Sequence, residues 1–276
     1  MRIRSSFNWA AALWLAASGC SDKSTQVGTI DADSDSDTDT DTDTDIDTDT
    51  DTDTDTDTDA DTDPLGLVCV DPGHITYAGS DKGYAAIINR KVGYYLEDLL
   101  AAGGYDVVFT ASDITEEEIF DAGFDNDGAE EQALLVPVSA AERAVACNDA
   151  AADYLISIQH NAVGDTGVNY SLVMFNEDTG TVDVGDPRFA GADTWAAATS
   201  DALVAALETA VGYAQSDVEF LGSEIELLET TDMIGISSWA SFYSDPEEKA
   251  RLDDNTYLAA EAQALYDAFI AFVAAK

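Results

Sequence analysis

Basic side chains are scarce in this 276-residue chain, with 11 Lys and Arg against 56 Asp and Glu and a formal net charge of −45. Residues 65–276 alone carry 38 acidic and eight basic side chains, a balance of −30. A surface of that sign repels phosphate backbones and anionic lipid head groups, which excludes nucleic acid as a partner. Histidine is rarer still: His74 and His160 are the only two, so any imidazole-based site must use one of them. Cysteine occurs three times, at positions 20, 69 and 147, and no Cys-x-x-Cys zinc pair is present. Neither a Gly-rich phosphate loop nor a Gly-x-Ser-x-Gly nucleophile elbow occurs, which removes the usual nucleotide-binding and serine-hydrolase readings. The apolar stretch from Trp9 to Ala17 is too short to span a bilayer.

What is present begins with a targeting segment. Arg2 and Arg4 precede that apolar stretch, and Ala17-Ser18-Gly19-Cys20 closes it with small residues, so residues 1–20 read as a signal peptide. A cysteine directly after such a site resembles a bacterial lipobox, although Ala17 stands where leucine is usual. Cleavage before Cys20 would free it for acylation and a membrane anchor; an ordinary secretory peptide is the alternative. Ser21, rather than Asp, would follow the lipidated residue, which resembles the pattern sent to the Gram-negative outer membrane. The expected location is therefore the exported cell envelope, on an outer-membrane lipoprotein or facing the periplasm.

Residues 21–64 form a linker dominated by Asp-Thr repeats, with 17 aspartates at every odd position from Asp31 to Asp63. Such a segment has nothing to bury and repels itself, so the sequence predicts a swollen disordered spacer. A neutral coil of that length averages roughly 30 Å end to end, with a stretched ceiling near ~110 Å. With Cys20 assigned to lipid, Cys69 and Cys147 remain as an even pair in an oxidising compartment, either as a disulfide or as two buried thiols.

Residues 65–276 alternate strand and helix patterns. Leu67–Val70 is an apolar run entering an Asp-Pro-Gly turn; Ala85–Ala102 carries Ile88, Val92, Leu96 and Leu100 at helical spacing; Tyr105–Thr110 reads as a strand. Ser139 and Glu142 form a capping box for a helix through Ala151. Strands are predicted at Tyr154–Ile158, Asn169–Phe175, Glu224–Leu228 and Met233–Ser237, with helices at Thr194–Tyr213 and Thr256–Ala274. This alternation predicts an α/β fold, a three-layer sandwich around a mostly parallel twisted sheet of about six strands. His74 and His160 both follow strand ends, where sites in such sheets gather.

These landmarks, taken in order over residues 67–273, resemble the zinc-dependent N-acetylmuramoyl-L-alanine amidases. The resemblance is carried by Val70-Asp71-Pro72-Gly73-His74, by Asn89, and by Gly104-Tyr105-Asp106-Val107-Val108-Phe109-Thr110. Glu142-Arg143, Cys147-Asn148, Ala152-Asp153-Tyr154-Leu155-Ile156-Ser157-Ile158 and Ser244-Asp245-Pro246 extend it. It implies zinc on a His, a Glu and a second His, with a further glutamate as general base. Zinc lowers the pKa of bound water to near ~7 and polarises the amide while the carboxylate takes the proton.

By register only His74 matches. The glutamate ligand falls on Ala85, the second histidine on Gln159 with His160 one place later, and the base on Trp239. His74 and His160 are the tentative metal residues, and no catalytic residue is assigned. One imidazole holds zinc poorly, so no cofactor is expected, with zinc only if the protein is active. An active site would require His160 to swing inward and a carboxylate such as Asp71, Asp81, Asp165, Glu224 or Glu229 to approach. Asp125-Asn126-Asp127-Gly128 reads as a plain turn. Two functions follow: an envelope lipoprotein whose amidase-like domain engages peptidoglycan or a cell-wall protein after losing catalysis, or a divergent zinc amidase. Trp239 either fills the vacated site or offers a ring for stacking.

Overall fold

The computed structural model describes residues 64–73, 81–111, 114–120, 138–164, 166–167, 170–176, 190–211, 218–222 and 225–276. Cys20, His74, the Asp125–Gly128 turn, Asp165 and Glu224 lie outside the described residues. In chain order the elements are β1 (Leu67–Pro72), α1 (Asp81–Ala102), β2 (Asp106–Phe109), α2 (Glu116–Phe120), α3 (Ala140–Asp149), β3 (Tyr154–Asn161) and β4 (Ser171–Phe175). They continue as α4 (Ala192–Val211), β5 (Val218–Gly222), α5 (Glu226–Thr230), β6 (Ile234–Phe242), α6 (Pro246–Leu252) and α7 (Asn255–Ala274).

The strands form one six-stranded sheet among the described residues, in the order β2-β1-β3-β6-β4-β5. β2, β1, β3 and β6 run parallel, β4 is antiparallel to β6, and β5 is parallel to β4. Both faces of the central strands are covered, which is why β1 and β3 read as nearly continuous apolar runs rather than as alternations. Val68, Val70, Ile156, Ile158, Ile234 and Ile236 face a large core with α1, α4 and α7, including Leu96, Trp195, Leu265 and Phe269. Cys69 and Leu155 point the other way, into a smaller core with Ala144, Cys147, Leu227, Leu228 and Met233 from the α3 and α5 side. The result is a three-layer α/β sandwich. Cys69 and Cys147 are joined by a disulfide, Cα–Cα 5.6 Å, which ties β1 to α3 across 78 residues of sequence.

The capping box is present: the Ser139 hydroxyl accepts from the Glu142 N–H, and the Glu142 carboxylate accepts from the Ser139 N–H at 2.9 Å. Around residue 225 the sequence reading needs correction. The segment expected as a strand at Glu224–Leu228 is instead entered by α5, and the strand lies earlier, at β5. Leu227 and Leu228 are adjacent and both buried, which a one-sided strand cannot arrange because successive side chains leave on opposite faces. A helical turn sends both toward the smaller core. β6 also runs on to Phe242, beyond the expected end at Ser237, as an interior strand between β3 and β4. Helix α6, not anticipated, has Asp245 as N-cap and Pro246 in its first turn.

Candidate functional site

β1 ends in a tight junction with β3. The Gly73 N–H donates to Ile158 O at 2.8 Å, and Asn89 Nδ2 on α1 donates to Gly73 O at 2.9 Å. A Cβ at position 73 would lie 2.6 Å from Gln159 Cγ, so this close approach needs glycine. Ala85, fully buried, sits one helical turn before Asn89 on α1. Gln159 pairs in register with Trp239 on β6, and Trp239 with Leu172 on β4, so three side chains form a row across the sheet. Trp239 is half-buried, and its Nε1–H donates to Ser237 Oγ at 3.2 Å.

Immediately after Trp239 the register shifts, and His160 pairs with Ser241 instead of Ala240. This bulge places Ala240 in the larger core and leaves its carbonyl to accept from Ser171 Oγ at 2.8 Å. His160 lies on the opposite face from Gln159, fully buried between α1 and α7. Its Nδ1 meets Asn89 Oδ1 at 2.7 Å and its Nε2 meets Glu261 Oε2 at 3.0 Å. Because Asn89 spends its NH₂ on Gly73 O, its oxygen must accept, so His160 Nδ1 carries a proton. The remaining contact holds one proton between Nε2 and Oε2. Both ring nitrogens are therefore engaged, and His160 could ligate a metal only by breaking a buried hydrogen bond.

Glu248, on α6, joins this layer. It is fully buried, accepts from the Ser241 hydroxyl, and lies 3.6 Å from the Arg251 guanidinium through its other oxygen. Burial lifts its carboxyl to about 7, against the partial pull of Arg251 and His160. Burial, reinforced by Glu248 and Glu261, also holds the Tyr257 hydroxyl well above its ordinary value.

A second charged cluster occupies the other face. Asp71 accepts from Thr110 Oγ1 at 2.7 Å, Arg143 Nε at 2.7 Å and Ser157 Oγ at 2.8 Å, all within the layer bounded by α3. The Asp71 carboxylate is committed to Arg143 and two hydroxyls. Among the described residues, no three His, Cys, Asp or Glu side chains stand close enough together to hold a metal ion. Among the described residues the donors do not fit zinc: Ala85 offers none, Gln159 a neutral amide, and His160 faces away with both nitrogens occupied. Glu261, the partner that fixes His160, was missed from sequence. The signal was there, since a charge at position 261 interrupts the apolar stripe Tyr257, Leu258, Ala262, Leu265, Phe269 and must meet a buried partner.

The family model for N-acetylmuramoyl-L-alanine amidase (Amidase_3) matches residues 68–271. The chain belongs to this amidase family. Solved structures agree on the fold. An N-acetylmuramoyl-L-alanine amidase from Clostridium difficile 630 is 18% identical, with a TM-score of 0.59, covering 78% of this chain and all of that one. The catalytic domain of CwlV from Bacillus (Paenibacillus) polymyxa is 16% identical, TM-score 0.56, over 77% of this chain and 100% of its own. AmiC2 of Nostoc punctiforme is 17% identical, TM-score 0.56, over 75% and 97%. No curated protein is significantly similar. Within the amidase fold, Gln159 and Trp239 stand side by side where the resemblance implies a zinc ligand and the base, and Ala85 stands where it implies another ligand.

Proposed function

We propose that this protein is a cell-envelope lipoprotein whose amidase-family domain engages peptidoglycan or a cell-wall partner without hydrolysing it. Family membership supports the direction toward peptidoglycan. The observation that carries the loss of catalysis is the row of side chains at the strand ends: an amide and an indole occupy neighbouring positions, and an alanine replaces the donor on α1. Acylated Cys20 would anchor the chain, and residues 21–64 would let the domain over 65–276 reach beyond the membrane surface. No helix among the described residues is long and apolar enough to cross a membrane.

The test is metal content and hydrolysis of purified cell wall by the purified protein, expected to show neither bound zinc nor released products. One tightly held zinc per chain, lost with hydrolysis in His74→Ala, would overturn the reading in favour of a divergent amidase. For the anchor, Cys20→Ser is expected to release a soluble or unprocessed form; a variant still processed and membrane-bound refutes it.

A further inference from the structure

Helix α6 is held to the domain by an unequal pair of side chains. Of its seven residues only Glu248 and Leu252 are buried, so its inward face is half apolar and half acid. The helix leaves the end of the sheet that carries Gln159 and Trp239. There the Tyr243 N–H donates to Asn161 O at 2.8 Å and the Val163 N–H to Ser244 Oγ at 3.2 Å. Each flank has its own cap: Asp245 accepts from the Glu247 and Glu248 N–H groups, and Asp254 accepts from the Thr256 N–H at 2.8 Å to begin α7. α7 therefore keeps its start wherever α6 lies. One buried leucine is a slight anchor, so the state of Glu248 decides how firmly α6 is held.

The surroundings of Glu248 favour a proton on it. Ser241 on β6 donates to one oxygen, and the other makes no close hydrogen bond. His160 from β3, Tyr257 from α7 and Arg251 on α6 itself favour the carboxylate; Glu261 from α7 opposes it, and desolvation outweighs the rest. α1 brings Tyr84 and Lys91, which face Lys249 and Asp253 instead. The Tyr84 hydroxyl donates to Lys249 O at 3.2 Å and Asp253 Oδ1 at 3.0 Å, the Lys249 ammonium lies 4.1 Å from the Tyr84 ring centroid, and Lys91 feels the Asp253 charge. We infer that α6 is a proton-gated flap: protonated Glu248 holds it closed on the end of the sheet, and loss of that proton frees it to swing out between Asp245 and Asp254 while α7 and the sheet stay folded. Opening delivers the carboxylate to water, where charge is cheap. The pairing of Arg251 with Glu248 lies within α6 and travels with it. The inference stands on the contacts of the helix and holds whatever the domain binds.

The test is hydrogen exchange on the full chain at pH 5, 6, 7 and 8, with each amide rate corrected for its intrinsic pH dependence. The opening equilibrium of the α6 amides is expected to rise about tenfold per pH unit from 5 to 7. It should level above about 7, where the closed form also ionises. Amides of α7 beyond its first turn should stay better protected throughout. Glu248→Gln, neutral at every pH, should abolish the rise. Leu252→Ala should increase opening at all four pH values and leave the rise intact. Opening of α6 that ignores pH, or a rise that survives Glu248→Gln, would overturn the inference. So would equal protection of α6 and α7, which makes the opening global; that comparison within the wild type decides the matter even if a variant fails to fold.

Discussion

The two buried charged clusters on opposite faces of the sheet are built to different standards. Around Asp71 every contact is short and complementary: one guanidinium and two hydroxyls meet one carboxylate, all between 2.7 and 2.8 Å. Around His160 two carboxylates, Glu248 and Glu261, share one imidazole and a more distant guanidinium. One oxygen of each makes no close hydrogen bond, and the Tyr257 hydroxyl is the nearby donor that partly steadies Glu248. Burial without full satisfaction raises the cost of charge, and it falls on Glu248, whose carboxyl is lifted to about 7. The saturated cluster behaves as a clamp. The under-satisfied one is sensitive to proton concentration.

Breaking the clamp should have the largest effect. Arg143→Ala leaves Asp71 buried without its counter-charge and is expected to cost about 3–5 kcal/mol in urea unfolding. Next, Cys147→Ser opens the link between β1 and α3 beside the same clamp. A loop of 78 residues predicts a loss of about 2–4 kcal/mol, read as a lower midpoint that strong reductant reproduces in the wild type.

On the other face the signature is pH dependence. Glu248 moves from an ordinary 4.5 when unfolded to about 7 when folded, so the folded state binds the extra proton between those values. Its contribution is full below about pH 4.5 and is lost as pH rises through 7, by at most about 3 kcal/mol. Glu248→Gln should flatten that slope in unfolding measured at pH 5, 6, 7 and 8. A slope that survives the substitution assigns the effect elsewhere. The smallest change is expected from Glu261→Gln, whose amide can still donate to His160 Nε2, at about 1 kcal/mol. A much larger loss would mean that the negative charge at 261, rather than the hydrogen bond, holds the layer together.

The contrast also separates what the sequence discloses from what it conceals. The short apolar runs at Leu67–Val70 and Tyr154–Ile158, the Ser139–Glu142 box and the helical spacing from Ile88 to Leu100 are local signals, and the elements they predict are present. Ala85, Gln159 and Trp239 are reached only by counting from neighbouring landmarks to the places where the resemblance implies the family's ligands and base. Glu261 is 101 residues from His160, and only chain folding brings them together. The same is true of Tyr170 and Phe242. The misplaced strand near residue 225 failed for another reason: Ile225, Leu227 and Leu228 satisfy either period over so short a run, and the smaller core decided for the helix.

Ala240 carries a consequence of its own. Because β6 holds one residue more than β3 at that point, Ser241 reaches Glu248 and Phe242 reaches Tyr170. Drawn into regular pairing with His160, Ala240 would instead move Ser241 and Phe242 onto each other's present faces, stranding an acid on one side and a phenyl ring on the other. The bulge is therefore what lets β6 carry its extra residue without inverting the strand end beyond it.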